Sequence, residues 1–191
     1  MQAQILKESK TQSILILLFM TISLFGYLFL TDPISAERIV GTSGNDSLNG
    51  TSENDVMRGV EGNDTLRGFA GDDIIEGGRD NDSLAGFTGN DYLIGGAQND
   101  TILGESGDDQ IEGNDGEDLI YGGTGDDSIF GGTSSDKLYG DDGNDNLFSG
   151  PGYDVLSGGK GMDYFDCGLR RDKVLDFNLS EGDVMSSNCK G

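Results

Sequence analysis

Histidine and tryptophan are absent from this sequence, proline and cysteine occur twice each, and basic residues number 12 against 35 acidic ones. Without histidine there is no His-centred catalytic triad and no HExxH zinc motif. With no imidazole and only two thiols, zinc and copper lack their preferred ligands. The 33 glycines come with so few prolines that collagen and proline-rich linkers are excluded. A formal net charge of −23 argues against a nucleic-acid partner, which needs a basic surface, and it opposes compaction of the bare chain. Hydrophobic residues make up 34%, a composition that would suit disorder were it not for what is present.

The sequence has a single long apolar run, residues 14–30. Lys7 and Lys10 precede it, and Ile34-Ser35-Ala36 follows as a small-residue cleavage point. Residues 1–36 are therefore expected to be a secretory signal peptide cut after Ala36. The run is close to the minimum length of a bilayer span, so an uncleaved N-terminal membrane anchor is the alternative. Either reading places the remainder outside the cytoplasm. Loss of residues 1–36 leaves the charge at −23, because two bases and two acids go together. The leader in turn favours a disulfide between Cys167 and Cys189 over two free thiols.

What fills the chain is a period. Fifteen aspartates follow one another at nine-residue steps from Asp46 to Asp172, and an apolar residue stands two places after each, from Leu48 to Val174. Counting nine positions from Val40, position 2 is Gly except at Ser149 and Cys167. Position 5 is Gly except at Glu53, Asp80, Gln98, Ser134 and Arg170. Position 6 is mostly Asn or Asp, position 7 always Asp and position 9 always apolar. Glycine at positions 2 and 5 is expected to supply positive φ and a sharp bend. The last residues of each repeat, such as Thr65-Leu66-Arg67, read as a three-residue strand with its middle side chain inward. One repeat is then half a coil, two repeats close a coil, and coils stack about 4.8 Å apart as parallel strands. A shared narrow core of this kind overrides the disorder reading.

Stacking places aspartates eighteen residues apart above one another, for example Asp64 over Asp82 and Asp73 over Asp91. Carboxylates at that spacing repel when desolvated, and a hard divalent cation between them reverses the sign. Calcium takes six to eight oxygens from carboxylates and carbonyls, which Gly-rich turns offer; magnesium fits less well. Ions bridging every second repeat number at most thirteen, and their charge would nearly neutralise the chain's −23.

These residues resemble the RTX, or haemolysin-type, calcium-binding nonapeptide GGxGxDxUx. GGTGDDSIF at 122–130 and GGKGMDYFD at 158–166 match most fully, and GVEGNDTLR at 59–67 and GFAGDDIIE at 68–76 more loosely. The resemblance spans about 135 residues and implies an all-β parallel β-roll with Ca²⁺ between stacked turns. It makes the repeat aspartates the side-chain ligands: Asp46, Asp55, Asp64, Asp73, Asp82, Asp91, Asp100, Asp109, Asp118, Asp127, Asp136, Asp145, Asp154 and Asp163. Asp172, in a degenerate copy, stays outside that set. Members of the family often carry an enzyme or toxin domain before the repeats and leave the cell through a C-terminal signal; here the preceding residues read as a leader. The expected organisation is a leader over 1–36, a β-roll over 37–174 and a capping tail over 175–191.

Tyr121, Phe130, Tyr139 and Phe148 all occupy position 1, so Tyr121 should stack on Tyr139 and Phe130 on Phe148, on outward faces. Such ladders suit self-association or a surface partner. Alternatively the tail (Val174, Leu175, Phe177, Leu179, Val184, Met185) folds back over one of them. No enzyme is expected: a two-carboxylate glycosidase has its residue types here, but a narrow roll offers it no cleft. The sequence thus reads as a secreted or surface calcium-binding protein that folds on its ions. The alternative is a structural or adhesive surface protein in which calcium is only a rivet.

Overall fold

The computed structural model describes residues 37–168 and 172–189. The leader and any anchor over 14–30 lie outside the described residues. In chain order the strands are β1 (Arg38–Val40), β2 (Ser47–Asn49), β3 (Val56–Glu61), β4 (Thr65–Ala70), β5 (Ile74–Arg79), β6 (Ser83–Thr88), β7 (Tyr92–Ala97), β8 (Thr101–Ser106) and β9 (Gln110–Asp115). They continue as β10 (Leu119–Thr124), β11 (Ser128–Thr133), β12 (Lys137–Asp142), β13 (Asn146–Phe148), β14 (Val155–Lys160), β15 (Tyr164–Asp166), β16 (Lys173–Val174) and β17 (Val184–Met185). Odd-numbered strands form one parallel sheet and even-numbered strands the other. Two repeats therefore make one coil, and Leu66 pairs with Leu84, Ile75 with Leu93, in an eighteen-residue register that holds from β1 to β16.

The core is a single file per sheet. Position 9 side chains from Leu48 to Phe165, preceded by Ile39, are buried and pack as one cluster between the sheets. Burying each is worth roughly 1.5–3 kcal/mol. No repeat could bury its own apolar residue without a coil above and below, so stability is shared between neighbours.

Most strands run six residues rather than the expected three, because they continue through position 2. That glycine is not a bend. Positive φ falls instead on positions 3 and 5, as at Gly78, Gly96 and Gly123, and at Gly89, Gly107 and Gly125. The expectation of a bend at position 2 is corrected on this point, and the cause of its glycine is steric. A Cβ at Gly104 would sit 2.5 Å from the carbonyl oxygen of Gly122 and run into Oδ2 of Asp109. Position 2 is glycine so that the aspartate can fold back against the backbone. At position 3, side chains at Val60 (φ 101°), Phe69 (80°) and Phe87 (77°) accept a conformation that costs about 1–3 kcal/mol each.

The end of the roll also departs from expectation. The tail does not fold back over an aromatic ladder. Instead β16 and β17 each extend one sheet by a rung, pairing with β14 and β15. Phe177 meets the edge of Phe165 at 6.3 Å, and Cys167 is disulfide-bonded to Cys189. The tail's own strand-forming residues find open sheet edges at the terminus, so it closes the end and leaves Phe130 exposed on its face. The ladders form as expected: Tyr121 on Tyr139 and Phe130 on Phe148, each with ring centroids 4.8 Å apart, with Phe69 on Phe87 as a third pair.

Candidate metal centre

The position 7 aspartates line up along the two edges of the roll, where the chain passes from one sheet to the other. The first edge carries Asp46, Asp64, Asp82, Asp100, Asp118, Asp136 and Asp154. The second carries Asp55, Asp73, Asp91, Asp109, Asp127, Asp145 and Asp163. All fourteen expected ligands thus lie in two columns. From Asp55 onward they are nearly inaccessible to solvent.

From Asp55 onward each carboxylate is tied to the coil before it. The backbone N–H of Asp64 donates to Oδ1 of Asp82 (2.8 Å), that of Asp82 to Asp100 (2.7 Å) and that of Asp100 to Asp118 (2.8 Å). On the second edge Asp73 donates to Asp91 (2.8 Å), Asp91 to Asp109 (2.7 Å) and Asp109 to Asp127 (2.8 Å). A peptide N–H therefore stands between successive carboxylates. The simple expectation of bare like charges facing each other is corrected by this bond. It uses one oxygen of each pair and leaves the other.

The second oxygen is the informative atom. Oδ2 has no hydrogen-bond partner, and is buried, in Asp64, Asp73, Asp82, Asp91, Asp100, Asp109, Asp118, Asp127, Asp136, Asp145 and Asp154. A buried carboxylate oxygen without a partner costs several kcal/mol unless a proton or a cation meets it. Backbone carbonyls approach the same places: Gly122 O and Asp109 Oδ2 both crowd the position a Cβ would take at Gly104. Among the described residues no three acidic or cysteine side chains converge on one point. A cation here must take most of its oxygens from the backbone, which an oxygen-seeking ion such as calcium accepts and a nitrogen- or sulfur-seeking one does not.

Two other expected ligands, and Asp172 beyond them, differ. Asp46 Oδ2 already accepts the N–H and hydroxyl of Thr42 (2.6 and 2.9 Å), and Asp55 Oδ2 those of Thr51 (2.6 and 3.0 Å). Asp172 binds the Asp154 N–H through Oδ1 and the Ser149 hydroxyl through Oδ2 (3.0 and 3.2 Å). It is a closing rung with no oxygen left over, and Ser149 stands at position 2 where the glycine is missing. One rung escaped the sequence reading. Asp183 accepts the N–H of Asp163 at 3.1 Å, twenty residues away instead of eighteen. The two-residue slip in the tail hid it from the period; only its Gly-Asp pair hinted at the role.

Position 6 forms a second ladder running the other way. Oδ1 of Asn63 accepts from the N–H of Asn81 (3.1 Å), Asn81 from Asn99 (3.0 Å) and Asn90 from Asp108 (3.0 Å). One acceptor oxygen is enough there, so Asn and Asp interchange. Position 7 needs a second oxygen, and Asn never appears.

Desolvation raises the position 7 carboxyls from Asp64 to Asp163, against the lowering effect of the backbone hydrogen bonds. Asp73, Asp82 and Asp118 are pushed up to about 6, Asp109, Asp136 and Asp145 to about 7, and Asp100 and Asp127 to about 8. Neighbouring carboxylates add to the rise, as Asp109 and Asp145 do at Asp127. The turns hold negative charge with difficulty when no cation accompanies it.

A family model described as the RTX calcium-binding nonapeptide repeat matches residues 35–66, 49–84, 85–120, 112–147, 121–156 and 139–169. The chain belongs to this RTX repeat family. RTX nonapeptides bind calcium, and the oxygen-only turns with their unpartnered Oδ2 atoms fit that ion. The fold is accordingly a calcium-binding β-roll of about eight coils. The bound ion would supply the positive charge that the aspartate columns lack. No curated protein matches the chain.

Proposed function

We propose that this RTX protein works outside the cytoplasm, secreted or held at the cell surface, as a β-roll that folds when calcium enters its turns. The observation that carries the reading is the row of eleven buried, unpartnered Oδ2 atoms. Ionised and without cations they oppose the fold; with cations they hold it, so calcium and folding are linked. A low cytosolic calcium level would leave the chain uncoiled for export, and extracellular modules commonly bind in the 10⁻⁴ to 10⁻³ M range. The leader over 1–36 and the disulfide between Cys167 and Cys189 support an oxidising destination. In this reading the role is binding, with the repeat's carboxylates as ligands.

Circular dichroism at pH 8 tests this. Millimolar calcium should convert a largely unstructured spectrum into a β-rich one, and excess chelator should reverse it. Identical spectra in both conditions overturn the reading.

A second reading, a structural or adhesive surface protein, is favoured by the stacked Phe130–Phe148 pair on an outward face. In it calcium only rivets the roll, and the aromatics meet a partner or another copy. Fractionation separates the two: retention with membranes supports anchorage through residues 14–30, and free release supports a soluble module.

A further inference from the structure

Position 5 differs between the two edges. On the second edge it is glycine in six consecutive turns: Gly71, Gly89, Gly107, Gly125, Gly143 and Gly161. These turns share one geometry, with φ between 107° and 157°. Each lies directly on the carbonyl of the one before: a Cβ at Gly107 would strike Gly89 O, and one at Gly125 would strike Gly107 O. The result is an unbroken file of bare carbonyls beside Asp73, Asp91, Asp109, Asp127 and Asp145, whose Oδ2 atoms are buried and unpartnered.

The first edge is interrupted. Asp80, Gln98 and Ser134 hold position 5 there, at φ 72°, 76° and 87°. These L residues sit at a smaller φ than the glycine turns; their carbonyls still lie under the next turn, Gln98 O at Gly116 and Ser134 O at Gly152, but each adds a side chain at the turn. The Asp80 side chain already spans to the coil before it, where Oδ2 accepts the N–H of Gly62 at 3.2 Å. Adjacent first-edge turns are both glycine only at Gly44 and Gly62, where Asp46 is bonded to Thr42.

We propose that the two edges are unequal calcium files: the second fills first as a continuous column, and the first binds weakly wherever a side chain replaces glycine at position 5. This rests on calcium being the ligand of the turns. It assigns separate tasks to the two edges. The second drives coiling, and the first reports higher calcium.

Calorimetric calcium titration of the chain at pH 8 tests it. Five gaps on the second edge are bounded by glycine on both sides, so a tight class of five ions is expected, followed by a weaker class. The triple variant D80G/Q98G/S134G removes side chains from strained φ and completes five more such gaps, so the tight class should grow towards ten. Asp109→Asn should reduce the tight class, while Asp100→Asn should alter only the weak one. A single class in the unaltered chain, an unchanged tight class in the triple variant, or equal losses from the two asparagine variants would each overturn the inequality. Binding of no calcium would remove the calcium reading itself and the inequality with it.

Discussion

Asp109 shows how much one side chain carries. Oδ1 accepts the N–H of Asp91 at 2.7 Å, and Oδ2 is buried without a partner. Asparagine would keep the acceptor and lose the charge. Asp109→Asn should therefore let the calcium-free roll persist to a higher pH and lower its stability in saturating calcium. Gly104→Ala acts differently, because its Cβ meets Asp109 Oδ2 and Gly122 O in any ionic condition. It should destabilise the roll with or without calcium, by about 1–3 kcal/mol for a forced overpacking. Urea unfolding of both variants in calcium, and the pH at which each loses its β-structure in chelator, check the contrast. The invariance of Asp at position 7 was legible in the sequence. Its cause, two oxygens with different tasks, was not, because the N–H that claims one of them comes from a residue eighteen positions away.

A column of such turns is the unit that titrates. In the folded, calcium-free chain the carboxyls are raised from 3.8, to about 6 at Asp73 and about 8 at Asp127, chiefly by desolvation. In the unfolded chain they return to ordinary values. A raised carboxyl binds its proton more tightly in the fold, so stability is fullest below about pH 4 and falls as pH rises towards about 8. The calcium-free roll should thus be recoverable in acid and lost at pH 8, and calcium should matter most where protons have left. Circular dichroism across pH 4–9, with chelator and with calcium, checks this. The two traces should converge in acid and separate in base.

For the whole molecule, charge and connectivity decide stability. A net charge of −23 is spread along a solenoid in which each coil touches only its neighbours, so loss of ions at one end unravels that end first. The disulfide between Cys167 and Cys189 guards the C-terminal end, where Asp172 and Asp183 close the columns. A bridge over this separation is worth roughly 3 kcal/mol in the chain-entropy view. Replacing both cysteines by serine should speed amide exchange in β14 to β17 while leaving β6 to β9 near their original rates. Hydrogen-exchange mass spectrometry in calcium reads this directly. Uniform loss across all coils would contradict the local role.

The sequence by itself determined the coil. A period of nine, with one apolar residue and one aspartate per repeat, permits one stacking register, because a shift of one residue would turn the core file outward. From that register the two sheets, the core from Leu48 to Phe165, the aromatic pairs and the paired columns of aspartates follow. Only the tertiary structure decided what each oxygen does. It spent Oδ1 on a peptide N–H along most of each column, left Oδ2 bare there, engaged Oδ2 of Asp46 and Asp55 with Thr42 and Thr51, and placed Asp183 in a rung the period misses. It also separated the glycines that bend from those that only make room. These outcomes depend on which backbone groups of neighbouring coils come within a few ångströms, and a one-dimensional period carries no record of that distance.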